Sequence, residues 1–113
     1  MGLDERTGLF AESVIDLVKK IPHNSINKRL IEQIVASSGS IGANYMEASE
    51  AESKSDFIHK MKISRKEIKE TMHWLRLILK ANDHVRDQIK PIYQENGELL
   101  LIFSKIIINC SKK

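Results

Sequence analysis

Phe57, Met61, Ile68, Met72, Leu75 and Leu79 recur at i, i+4, i+11, i+15, i+18 and i+22. An apolar period near 3.6 residues held over six turns is the mark of an amphipathic helix. It predicts a helix over about 54–81, capped by Ser53 or Ser55 and stopped by Asn82-Asp83. Three further stretches show the same period. Phe10, Val14, Leu17, Val18 and Ile21 share one face of a helix from about Asp4 to Lys20, ended by Pro22. Ile26, Leu30, Ile34, Ile41, Tyr45 and Ala48 stripe a second helix, from a cap at Asn24 or Ser25 to about Ala51. A fourth begins at about Val85 or Pro91 and reaches Ser111. Pro91 fits its first turn or kinks it, and Gly97 is a weak point within it.

The second helix crosses an unusual segment, Ala36-Ser37-Ser38-Gly39-Ser40-Ile41-Gly42-Ala43. Propensity alone makes this a loop, since each helical Gly costs about 1 kcal/mol. The apolar phase nevertheless holds from Ile34 through Ile41 to Tyr45. The segment is therefore read as helix, its small side chains allowing close approach of a neighbour. Short connections between long helices imply an all-α, up-down-up-down antiparallel four-helix bundle, one domain over residues 1–113.

Composition limits what such a bundle can be. A single cysteine, Cys110, among 113 residues provides neither a disulfide framework nor a zinc site. The polar start Met1–Arg6 lacks a secretory apolar core, and Leu99–Phe103, the longest apolar run, falls far short of a membrane span. These features predict a cytoplasmic protein without a membrane segment.

The fourth helix carries more apolar surface than the edge of a lone bundle needs. Leu99, Leu100, Ile102, Phe103, Ile106, Ile107 and Cys110 cover half its circumference, and Leu101 and Ile108 lie outside that arc. Ile63, Trp74, Leu77 and Ile78 lie well off the main stripe of the third helix. Scattered surface apolar residues are ordinary. Two helices with the same excess, one including the only Trp, instead predict a subunit interface at Ile63, Trp74, Leu77, Ile78, Leu101 and Ile108.

The net charge is only +3, yet residues 54–81 hold eight Lys or Arg against three Asp or Glu, a local net of +5. Helical spacing gathers Lys62, Arg65, Lys66, Lys69, His73, Arg76 and Lys80 into one arc, away from the apolar stripe. One reading is a solvated face, with Glu67 and Glu70 offering partial pairing. The other is a ridge that follows phosphates, with Lys62, Arg65, Lys66, Lys69, Arg76 and Lys80 as the contacts. Few aromatic residues interleave with it, so base stacking finds no support here.

Searches for chemistry find little. Glu70-x-x-His73 resembles half of a di-iron motif but occurs once, phased to the basic arc; Asp56 and His59 are equally isolated. No Gly-rich phosphate loop, His-Glu-x-x-His string or nucleophile elbow is present. Hence no catalytic residue, metal or cofactor is expected. Asn44, at the edge of its stripe, and Glu47, a turn on, form the most conspicuous polar pair. A structural role in fixing register is the main reading, a ligand or partner contact the other.

The run Ser40-Ile41-Gly42-Ala43-Asn44-Tyr45-Met46-Glu47-Ala48, with Lys54 to Ile63 and Glu67…Trp74-Leu75, resembles a known family. It is similar to the bacterial four-helix bundle proteins related to those encoded in intervening sequences of 23S ribosomal RNA genes. The specific part is Ser-Ile-x-x-Asn-x-x-Glu, on Ser40, Ile41, Asn44 and Glu47. The resemblance implies a barrel-like ring, typically a homo-pentamer, of a family with no accepted enzymatic activity. One relative, the accessory protein of diversity-generating retroelements, is a basic pentamer that works with a reverse transcriptase and nucleic acid; this chain is only mildly basic. The resulting expectation is a non-enzymatic oligomer that binds RNA through the third-helix stripe. The alternative is a scaffolding module whose stripe meets an acidic protein.

Overall fold

The computed structural model describes residues 1–112. Four helices account for nearly all of them: α1 Leu3–Val18, α2 Ser25–Ser49, α3 Lys54–Ala81 and α4 Arg86–Ser111. A 3-10 turn, Asp83–Val85, leads into α4. Each helix packs against its neighbours in the chain, and α1 closes onto α4. The molecule measures 47 × 22 × 21 Å. That long axis fits α3, whose length at 1.5 Å per residue is about 42 Å.

Local chemistry sets the helix ends. The Asn24 side chain accepts from the Asn27 amide at 2.8 Å, so Asn24 rather than Ser25 caps α2. Ser53, not Ser55, caps α3 by accepting from the Asp56 amide at 3.0 Å. The first helix stops at Val18, two residues short of expectation, in a tight turn that buries Ile21 before Pro22. Pro91 and Gly97 both lie inside α4 without ending it. Pro91 deprives only the Asp87 carbonyl of a partner, and both residues are exposed, so water can serve that carbonyl.

The core draws on every helix: Val14 and Leu17, Ile34 and Ile41, Met61 and Ile68, Leu99 and Phe103 are all essentially inaccessible. Tyr45 meets Phe103 edge-to-face at 5.9 Å. Two apolar expectations fail. Ile26 stands exposed at the start of α2. Ile78, expected at a subunit interface, is wholly buried within the bundle itself. The cause is a column of buried residues on α3, Ser64, Thr71 and Ile78, spaced by sevens. Ser64 and Thr71 are polar, so an apolar count placed the centre of the buried face too far from Ile78.

The small-residue segment of α2 is continuous helix and makes the expected close approach. A Cβ built on Gly42 would lie 2.9 Å from Thr7 Oγ1 on α1. Thr7 cannot easily yield, because that hydroxyl donates to the Leu3 carbonyl at 2.7 Å in a fully buried site. Gly39, one turn away, has open space around it. Gly42→Ala is therefore expected to lower stability by about 1 kcal/mol, overpacking outweighing the gain in helix propensity. Gly39→Ala should raise it by about the same amount. Urea unfolding checks both, and Thr7→Ala should remove the Gly42→Ala penalty.

Cross-helix polar contacts complete the frame. Asn27 and Asn82, both buried, exchange amide hydrogen bonds of 2.9 and 2.8 Å. Their remaining N–H groups reach the carbonyls of Pro22 (2.8 Å) and Ile78 (3.0 Å). Ser37 bonds Thr71 at 2.9 Å, and Ser64 donates to the Ile41 carbonyl at 2.6 Å. Arg6 forks onto Glu95 with 2.7 and 2.8 Å bonds and touches Glu98 at 3.1 Å, fastening α1 to α4.

Candidate nucleic-acid interface

The stripe on α3 follows from helical geometry alone, since its residues recur every three or four positions, away from the buried residues Met61, Ser64, Ile68, Thr71, Leu75 and Ile78. Lys62, Lys66, Lys69, His73, Arg76 and Lys80 are exposed, and Arg65 is half-buried. Among the described residues none of these cations has a carboxylate within ion-pair distance. The pairing expected from Glu67 and Glu70 is thus absent. Burial first, then the nearby Glu70 carboxylate, raise the Glu67 pKa above the usual carboxylate range; Lys66 opposes this. Among the described residues the one paired lysine on α3, Lys60, lies off the stripe, its Nζ 2.8 Å from Glu47 Oε1. That carboxylate raises the Lys60 pKa.

The raised Glu67 pKa has a definite sign. The folded state holds the proton more tightly than the unfolded one. Stability at this site is therefore full below the ordinary carboxylate range and is lost as pH rises through that range to the raised folded value. Glu67→Gln should raise the melting temperature at pH 7, and the gain should vanish in acid; a thermal melt series across pH checks it.

The family-like motif divides its labour differently from expectation. Ile41 is a core residue with no accessible surface. Ser40 donates to the Ala36 carbonyl and Asn44 to the Ser40 carbonyl, each at 2.8 Å and each within α2. Asn44 consequently bonds no other helix; Glu47, through Lys60, is the motif's polar link to α3. The register contacts are made by residues the sequence reading passed over: Asn27, Asn82, Ser37, Thr71 and Ser64. Asn96 was also missed. Fully buried on α4, it donates to the Ile68 carbonyl at 3.1 Å, while its Oδ1 has no partner among the described residues. The available signal was phase: Asn27 stands seven residues before Ile34, and Asn96 three before Leu99.

The expected interface residues are scattered. Leu101 and Ile108 are 68% and 53% exposed on α4. Ile63 is half-buried, whereas Trp74 and Leu77 already pack against the intramolecular core. Trp74 receives His73 edge-on at 4.9 Å. Among the described residues no three His, Cys, Asp or Glu side chains gather, and no helix is long and apolar enough to cross a membrane.

The 23S rRNA-intervening sequence protein family is matched over residues 5–105. The chain belongs to this family. The crystal structure of a family relative, a protein of unknown function from the S23 ribosomal protein family of Bacteroides thetaiotaomicron, is 32% identical. The likeness covers 94% of this chain and 98% of that one, with a TM-score of 0.81. No curated protein matches. The resemblance carried by Ser40, Ile41, Asn44 and Glu47 therefore led to the right family, whose matched region includes the motif and all of α3.

Proposed function

We propose that this family member is a non-enzymatic RNA-binding bundle that works as a ring-shaped homo-oligomer, with the α3 stripe as its phosphate-contacting surface. One observation carries the reading: Lys62, Arg65, Lys66, Lys69, Arg76 and Lys80 line one side of α3, and none is spent on an ion pair among the described residues. From Lys62 to Lys80 the stripe runs about 27 Å at helical rise.

A single up-down-up-down domain suits this role. Asn27–Asn82, Ser37–Thr71, Ile41–Ser64 and Glu47–Lys60 climb along α2 while descending along α3, which supports antiparallel neighbours. The exposure of Leu101 and Ile108 supports self-association. A ring would repeat the stripe and combine its copies into one field.

Filter binding of structured RNA tests the proposal. Affinity should be measurable at low salt and fall steeply as salt is added; no binding at low salt, or binding indifferent to salt, overturns it. The alternative is a scaffolding module in which the same cations of the stripe, unpaired among the described residues, meet an acidic protein partner. A stable protein partner recovered from nuclease-treated lysate favours it.

A further inference from the structure

Beside the stripe, α3 and α4 leave a groove that no reading of α3 alone contains. Arg76 stands on one bank. Arg86, Lys90 and Tyr93, at i, i+4 and i+7, form the other, over a floor that includes Leu79 and Ile89. The three cations are exposed, and among the described residues none is ion-paired. Among the described residues no acidic side chain lines the groove. Tyr93 is 43% exposed, the most open of the Phe, Tyr and Trp side chains, and its hydroxyl bonds no protein group among the described residues. Arg76 belongs to both the stripe and the groove, which makes them one continuous basic surface.

We propose that this groove takes an unpaired segment of RNA, one base stacking on Tyr93 while Arg76, Arg86 and Lys90 hold the flanking phosphates. The inference rests on the RNA-binding reading of the stripe and names the strand type it prefers. An apolar floor with an open aromatic ring suits the face of a base, and a rim of cations suits the backbone on either side of it. Fully paired RNA keeps its bases inside the stack and presents only phosphates and groove edges, so it gains nothing from Tyr93. The depression on the other flank of α3 is a poorer platform. It includes Glu70, and its aromatic residue, Trp74, is half-buried with His73 edge-on against it.

Fluorescence anisotropy with a labelled single-stranded RNA and a fully paired duplex of equal length separates the claims. Tyr93→Ala and Tyr93→Leu should each weaken the single strand by about tenfold, the contribution of one stacked base. Duplex affinity should not change, which also shows that the variants fold, and Tyr93→Phe should bind both as the wild type does. Equal losses on both RNAs, or no loss on the single strand, overturn the groove proposal while salt-dependent binding to the stripe still stands. A wild-type protein that binds neither RNA overturns both.

Discussion

Asn82→Ala is expected to lower the free energy of unfolding by about 3 kcal/mol, a large share of what a domain of this size possesses. The substitution removes two hydrogen bonds to Asn27 and one to the Ile78 carbonyl, all in a site closed to water. Asn27 then keeps only its bond to the Pro22 carbonyl and buries an amide oxygen with no partner. The cost comes mainly from that stranded group. Asn27→Ala should cost a similar amount for the reciprocal reason. The double variant should cost clearly less than the two single losses together, because neither amide is then left facing an empty site. Urea unfolding of the four proteins measures the coupling; strict additivity would mean that the pair does not act as a unit.

The second large effect concerns assembly. Leu101→Glu with Ile108→Glu should convert the proposed oligomer to a 12.9 kDa monomer in light scattering. Both positions are exposed on the lone bundle, so a carboxylate there stays in water and costs the monomer little. At a subunit contact the same carboxylate loses its water without gaining a partner, which association cannot repay. Far-ultraviolet circular dichroism should therefore match the wild type while the mass falls. A wild-type chain that scatters at 12.9 kDa at micromolar concentration contradicts the ring outright.

Periodicity revealed most of the fold because most of the fold is periodic. The phase running from Ile34 to Tyr45 identified helix across a segment that propensity alone would have broken, and the Gly42–Thr7 contact explains why small residues are there. What escaped was polar and buried. Asn27 and Asn96 occupy core positions that an apolar count cannot see, and on α3 the buried Ser64 and Thr71 conceal the face on which Ile78 lies. Asn44 drew notice as a polar residue beside a stripe, yet its hydrogen bond remains within its own helix. The alignment of the stripe was legible, since side chains on a helix need only the helical angle to be placed, although Arg65 is half-buried rather than exposed. The groove was not: Tyr93 lies seventeen residues beyond Arg76 in the chain, and only the packing of α4 on α3 brings them together.

The proposed RNA binding requires the stripe and not positive charge at large. It is tested most directly by the salt dependence of RNA affinity in three proteins: the wild type, Lys62/Lys66/Lys69→Ala, and Lys19/Lys20/Lys28→Ala. All six lysines are exposed, and none is ion-paired among the described residues, so both variants lose the same charge without harm to the core. Each lost phosphate contact reduces the slope of log affinity against log salt by about 0.7 to 0.9. The stripe variant should therefore lose roughly two units of slope, while the off-stripe variant keeps the wild-type value. Equal slopes in the two variants, or a wild-type slope near zero, would contradict the account.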